Sequence, residues 1–207
     1  MHDHTHDMKR RVATTVLLGI LLAMFALEVA RGAVGDEVAL LRMGALPNDG
    51  ALGGEYWRLV TYSLLHLNPM HILMNAALLW WVGYVVERRI PRAAFAAVYA
   101  GASLASGAMI TVARMAHPKA GASLGASGGL FGLVGCALVL SYRRDAAAFG
   151  QGRSLRMALW AVAIVGLAAS LIQGVSLSGH GGGLAAGLLA GFLVPVRAPG
   201  IENSDPS

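Results

Sequence analysis

The chain is short of cysteine, lysine and charge in general, and each shortage removes a class of chemistry. One cysteine, Cys136, cannot close an internal disulfide, and no Cys/His spacing suits zinc, so Cys136 reads as a small packing residue within a helix. Lysine occurs only at Lys9 and Lys119, and Lys119 lies in a loop ahead of Ser127, which leaves a buried Ser-Lys pair without its base. Ten of the 11 acidic residues, Glu87 among them, fall outside the long apolar runs, and only Glu28 falls inside one. No His-Glu-x-x-His motif and no pair of aspartates stands within those runs, so metal-dependent and aspartyl hydrolysis there have no residues to use.

What the chain has in quantity is apolar surface. Hydrophobic residues make up 56% and charged residues 13% of its 207 positions, which is too apolar for a soluble domain and points to a membrane protein. The net charge of +5 does not indicate nucleic acid, because the basic residues form short clusters between apolar blocks rather than one face.

The apolar blocks predict six spans in an all-α bundle: Val12 to Ala30, Asn68-capped Pro69 to about Val86, and roughly Ala93 to Ala113, Ser127 to Tyr142, Leu155 to Gln173 and Gly181 to Val196. Residues 1–11 are then a tail, 12–196 one membrane domain and 197–207 a second tail. His2, His4 and His6 alternate with polar residues and read as solvated tail rather than metal site. Ala30-Arg31-Gly32-Ala33 loosely resembles a cleavage site, but the run before it is long for a signal peptide and is expected to be retained. Residues 31 to 65 are too polar to span yet keep Leu, Tyr and Trp, as a large loop at the membrane interface would.

Charge bias sets the orientation. With the N-terminus cytoplasmic, 11 of the 16 Lys and Arg residues lie inside, so both termini are expected on the cytoplasmic face. The second, fourth and sixth spans then start in the outer half of the bilayer, and their starts carry His71, Ser127 and His180. Three helix N-termini around one point favour an anion there. His71 and Asn75 are four apart on one helix face, and both can donate hydrogen bonds to that anion, although for Asn75 a plain interhelical bond would also serve. Gly183, Gly187 and Gly191 on the sixth span, with Gly128, Gly132 and Gly135 on the fourth, would let the two helices pack closely and bring Ser127 within reach of His180. With no acid nearby, a Ser-His dyad is the natural form of the site.

These residues resemble the rhomboid intramembrane serine proteases over about Leu41 to Gly191. Gly125-Ala126-Ser127-Gly128 is similar to the family's G-x-S-G, His180 with Gly183 and Gly187 to its H-x-x-G-x-x-x-G, His66 to Asn75 to its H-x-x-x-x-H-x-x-x-N, and Glu55-Tyr56-Trp57-Arg58 to its E-x-W-R. The resemblance implies Ser127 as nucleophile, His180 as general base and acid, and His71, Asn75 and the Ser127 backbone N–H as an oxyanion hole. By the same match His66 supports the site and Trp57 and Arg58 order the first loop. Phe131 stands where several bacterial relatives have tyrosine, so it can stack on the histidine without the hydroxyl. Gly181 and Gly182 are expected to make a glycine-rich turn after His180.

The resemblance implies endoproteolysis of transmembrane proteins in the bilayer, in the plasma membrane of a bacterium, with no cofactor, metal or nucleic acid. Two other readings compete with it. An inactive rhomboid-like protein that binds membrane clients would need none of Ser127, His180, His71 and Asn75. A small transporter using the intramembrane His and Asn would be expected to show internal repeats, which the chain lacks.

Overall fold

The computed structural model describes residues 11–143, 152–171 and 176–197. His2, His4, His6, Lys9, Arg10, Arg144, Asp145, Gln173 and the segment after Arg197 lie outside the described residues. Among those described, the elements run α1 (Val12–Ala30), α2 (Glu37–Met43), β1 (Leu46–Pro47), α3 (Arg58–Thr61), a 3₁₀ turn (Tyr62–Leu64), α4 (Pro69–Glu87), α5 (Arg92–Ala116), β2 (Ala122–Ser123), α6 (Ser127–Leu140), α7 (Arg153–Ala169) and α8 (Leu177–Leu193). Three of the helices, α1, α4 and α5, are long and apolar enough to cross a membrane by length and composition, and α6 and α8 are shorter apolar helices.

Local chemistry explains the helix starts. The Asn68 side chain accepts the His71 backbone N–H at 2.9 Å with Pro69 in the first turn of α4, as the Asn-Pro pair predicts. Asp36 caps α2 in the same way, and Gly44, in the left-handed region at φ 115°, ends it. Glu87 does not stand outside its helix as the sequence suggested. It is the last residue of α4, 1% exposed, and its carboxylate accepts Ala13 N at 2.7 Å, Thr14 N at 2.9 Å and the Thr14 hydroxyl at 2.8 Å. A buried acid is tolerated there because it satisfies the free N–H groups and positive end of α1.

Among the described residues the fold is helical apart from one short ladder. β1 pairs antiparallel with β2, Leu46 opposite Ser123, which ties the segment after α2 to the stretch that leads into Ser127.

The main core is built around α6, whose residues Gly128 to Leu140 are all buried. A helix buried on every side needs apolar or very small residues all round, and this one has them. Its closest neighbour is α8. A Cβ at Gly183 would strike the carbonyl of Gly128, one at Gly187 the carbonyl of Gly132, and one at Gly191 would stand 3.1 Å from the carbonyl of Cys136. The glycine rows therefore act as a backbone-to-backbone seam. On other sides α6 meets α5, where Ser103 and Ser106 lie against Gly129 and Gly128, and the Leu79, Val82 and Val86 face of α4.

Two expectations for the last helix are corrected. α8 starts at Leu177 rather than Gly181, with Ser176 accepting the Gly179 N–H at 3.1 Å, so Gly181 and Gly182 are helical and form no turn. The helix continues through three successive glycines, two of which are packed by α5 and α6: Gly182 lies against Met109 and Gly183 against Gly128, while Gly181 faces open space. Of the long helices α1, α4, α5, α6, α7 and α8, α7 has the fewest buried residues, Leu159 and Ala163, and carries Met157, Trp160, Ile164 and Val165 on an exposed face.

Candidate active site

Ser127 is the first residue of α6 and is half-buried. The chain enters the helix through Gly125 at φ 126°, a conformation that side chains resist, and the Gly125 N–H is held by the Tyr62 carbonyl at 2.9 Å. The missing side chain also makes room: a Cβ on Gly125 would fall 2.7 Å from the His71 ring and 3.8 Å from Asn75 Nδ2. One glycine thus brings the start of α6 against the polar face of α4.

His180 lies in the first turn of α8, 9% exposed, and its Nε2 is 2.9 Å from Ser127 Oγ. The pair is set by the glycine seam, since Gly183 one turn below His180 rests on the backbone next to Ser127. Phe131 stacks on the imidazole with centroids 4.2 Å apart and planes inclined by 7°. The ring's far edge, Cζ, reaches Gly166 of α7. The other nitrogen, Nδ1, is 2.7 Å from Ser170 Oγ and 3.2 Å from the Gly166 carbonyl.

Asn75 is 5% exposed, and its Nδ2 has no hydrogen-bond partner. A buried amide without a partner costs about 1–3 kcal/mol, so such a group invites a ligand. An oxyanion formed beside Ser127 is an acceptor of the right kind. His66 is fully buried, meets His71 edge-on at 5.1 Å, and donates its backbone N–H to Glu28 Oε1 at 3.0 Å. Burial first, and the neighbouring His71 second, hold the His66 imidazole down to about 3, so it is neutral.

Trp57 and Arg58 stand apart from the Ser127–His180 pair. Arg58 donates to Glu55 at 2.8 Å and to the Leu41 and Ala45 carbonyls at 2.5 and 2.8 Å, and its guanidinium lies 4.7 Å from the Trp57 ring centroid. Those bonds fasten α3 to the end of α2.

Sequence reasoning missed two residues. Ser170 is not an acid, the residue type expected beside a catalytic Ser-His pair, and a hydroxyl at the end of an apolar run, ten residues before His180, is the one signal the sequence holds for it. Glu28 was noticed as the one acid within a run, but its bond to the His66 backbone joins residues 38 apart, which no local pattern indicates.

The Rhomboid domain family model matches residues 53–197. The chain is 30% identical to "Rhomboid protease GluP" of Bacillus subtilis (strain 168) over 82% of its own length and 32% of that protein's, so it spans about a third of that relative. It is 32% identical to "Putative rhomboid protease YdcA" of the same organism over 70% of this chain and 71% of the other.

Proposed function

Because the chain belongs to the rhomboid family, we propose that it is an intramembrane serine endopeptidase that cuts transmembrane proteins with a Ser127–His180 dyad. The observation that carries the reading is the 2.9 Å approach of Ser127 Oγ to His180 Nε2.

In this mechanism the Ser127 hydroxyl attacks a peptide carbonyl while its proton passes to His180 Nε2. The carbonyl oxygen takes the negative charge and is held by the Ser127 N–H, the Asn75 amide and His71, close to the positive ends of α4, α6 and α8. His180 then returns the proton to the leaving amine, which departs and leaves an acyl-enzyme. Water attacks the ester with His180 again as base. His66 backs His71, while Trp57 and Arg58 brace the first loop.

The setting we propose is a six-span bundle of α1, α4, α5, α6, α7 and α8, with residues 31–68 as an outer interfacial loop and both termini cytoplasmic. At ~1.5 Å per residue α6 is only about 21 Å long against a hydrocarbon core of ~30 Å, which supports a Ser127 sunk below the outer surface within reach of water. A helical substrate hides its carbonyls in its own hydrogen bonds, so segments with small or helix-breaking residues are the favoured targets.

The test is labelling of the purified protein by a fluorophosphonate. Wild type is expected to label, and Ser127→Ala and His180→Ala are expected not to. Folded wild-type protein that does not label would turn the reading toward a client-binding protein without peptidase activity.

A further inference from the structure

The second nitrogen of His180 is held by a helix that contributes nothing else to the dyad. Gly166 and Ser170 both lie on the inward face of α7 and its C-cap, in line with Leu155, Leu159, Val162 and Ala163. Ser170 is 7% exposed, and its hydroxyl is 2.9 Å from the Gly166 carbonyl and 2.7 Å from His180 Nδ1. Nδ1 is also 3.2 Å from that same carbonyl.

The donors and acceptors in this triangle allow one self-consistent assignment. A carbonyl oxygen cannot donate, so both the Ser170 hydroxyl and Nδ1 can approach it only as donors. The hydroxyl proton goes to Gly166 O, the usual back-bond of a serine to the carbonyl four residues before it. The Ser170 oxygen then has lone pairs free, and at 2.7 Å it accepts the proton of Nδ1. Nδ1 is thereby the protonated nitrogen, and Nε2 carries the lone pair that faces Ser127 Oγ. In the opposite tautomer a bare Nδ1 would face the carbonyl and Nε2 would be unable to take the serine proton.

We propose that Ser170, with the Gly166 carbonyl, is the positioning group of the dyad: it holds His180 in the tautomer that can act as base and so makes the reactivity of Ser127 depend on where α7 stands. The inference rests on the peptidase reading above. It replaces the missing acid of a triad with a neutral hydroxyl, which suits a site among apolar helices where a lone carboxylate would be costly. It also gives α7 a role that its packing does not: displacement of this thinly embedded helix would remove both acceptors from Nδ1 at once, while the α6–α8 seam keeps Ser127 and His180 together.

The experiment measures fluorophosphonate inactivation of the full chain in detergent, separating the maximal rate from the half-saturating probe concentration, beside melting midpoints. Ser170→Ala is expected to lower the maximal rate about tenfold, the worth of one hydrogen bond, with half-saturation unchanged. The isosteric pair Ser170→Thr and Ser170→Val decides the matter even if the Ala variant folds poorly. Thr, which keeps the hydroxyl, is expected to stay within about twofold of wild type, and Val to lose about tenfold at a similar midpoint. Equal maximal rates for Thr and Val, with wild-type labelling intact and dependent on Ser127, would overturn the role of Ser170 alone. Absence of Ser127-dependent labelling in wild type would overturn the peptidase reading and this inference with it.

Discussion

Gly183 of α8 rests directly on the carbonyl of Gly128 in α6, so two backbones touch one turn below His180 and next to Ser127. That contact, repeated by Gly187 on Gly132, fixes the spacing of the dyad by excluding side chains rather than by adding any.

Substitutions along α8 should therefore divide by position rather than by residue type. Gly187→Ala forces a methyl into the Gly132 carbonyl and is expected to cost about 1–3 kcal/mol of stability and most of the labelling. Gly181→Ala meets nothing within 4 Å and is expected to be neutral or to stabilise by up to about 1 kcal/mol, since alanine is the better helix former. Melting midpoints of the two purified variants check the contrast, and equal losses would count against the seam.

Asn75 offers an activity change without a stability change. Its Nδ2 is buried and unpartnered in the resting protein, so Asn75→Ala should leave the melting midpoint level or raise it. As an oxyanion donor its loss should lower kcat on a transmembrane substrate about 100-fold with little change in KM. A variant that melts early and cuts normally would contradict both halves.

Phe131 touches α7 with its Cζ edge, at Gly166. A tyrosine hydroxyl would project from that same carbon, so Phe131→Tyr is expected to push α7 outward and cost about 1–3 kcal/mol. The stack on His180 would survive, and the fall in labelling should exceed what the midpoint explains if α7 positions the base. Wild-type behaviour of Phe131→Tyr would show that the gap beside Gly166 is looser than the packing implies.

Glu87 binds three donors at the start of α1 from the end of α4. Glu87→Ala strands those donors and is expected to cost about 3 kcal/mol, the range for buried bonds to a charged acceptor. Labelling per folded molecule should stay unchanged, because none of these groups reaches the dyad. Denaturation and labelling on the same preparation read both effects.

His66 should give the fold a specific pH dependence. Its imidazole is held down to about 3 in the folded protein, by burial first and His71 second, whereas an unfolded histidine titrates near ~6.5. Below about pH 6.5 the unfolded chain binds a proton that the folded chain does not, so stability is full above that pH and declines toward pH 3 by up to about 1.4 kcal/mol per pH unit. His66→Leu keeps the backbone bond to Glu28, so it is expected to fold and to melt with a flatter pH profile between pH 6.5 and 4. Parallel profiles for the two proteins would contradict the shift.

The amino-acid sequence by itself determined the elements and the inventory of chemistry. Uninterrupted apolar runs set α1 and α4 almost to the residue, because helix ends follow local signals such as Asn68-Pro69. Glycine spacing foretold the α6–α8 seam, since a helix repeats every ~3.6 residues and the row must fall on one face. The start of α8 was misread because consecutive glycines look like a turn, whereas the packing of Gly182 on Met109 and of Gly183 on Gly128 holds the stretch helical. What tertiary structure alone decided are the bonds between distant residues: Glu87 on the start of α1, Glu28 on His66, and Ser170 with Gly166 on His180 Nδ1. A hydrogen bond depends on distances of about 3 Å and on direction, and no periodicity along the chain carries that information across helices.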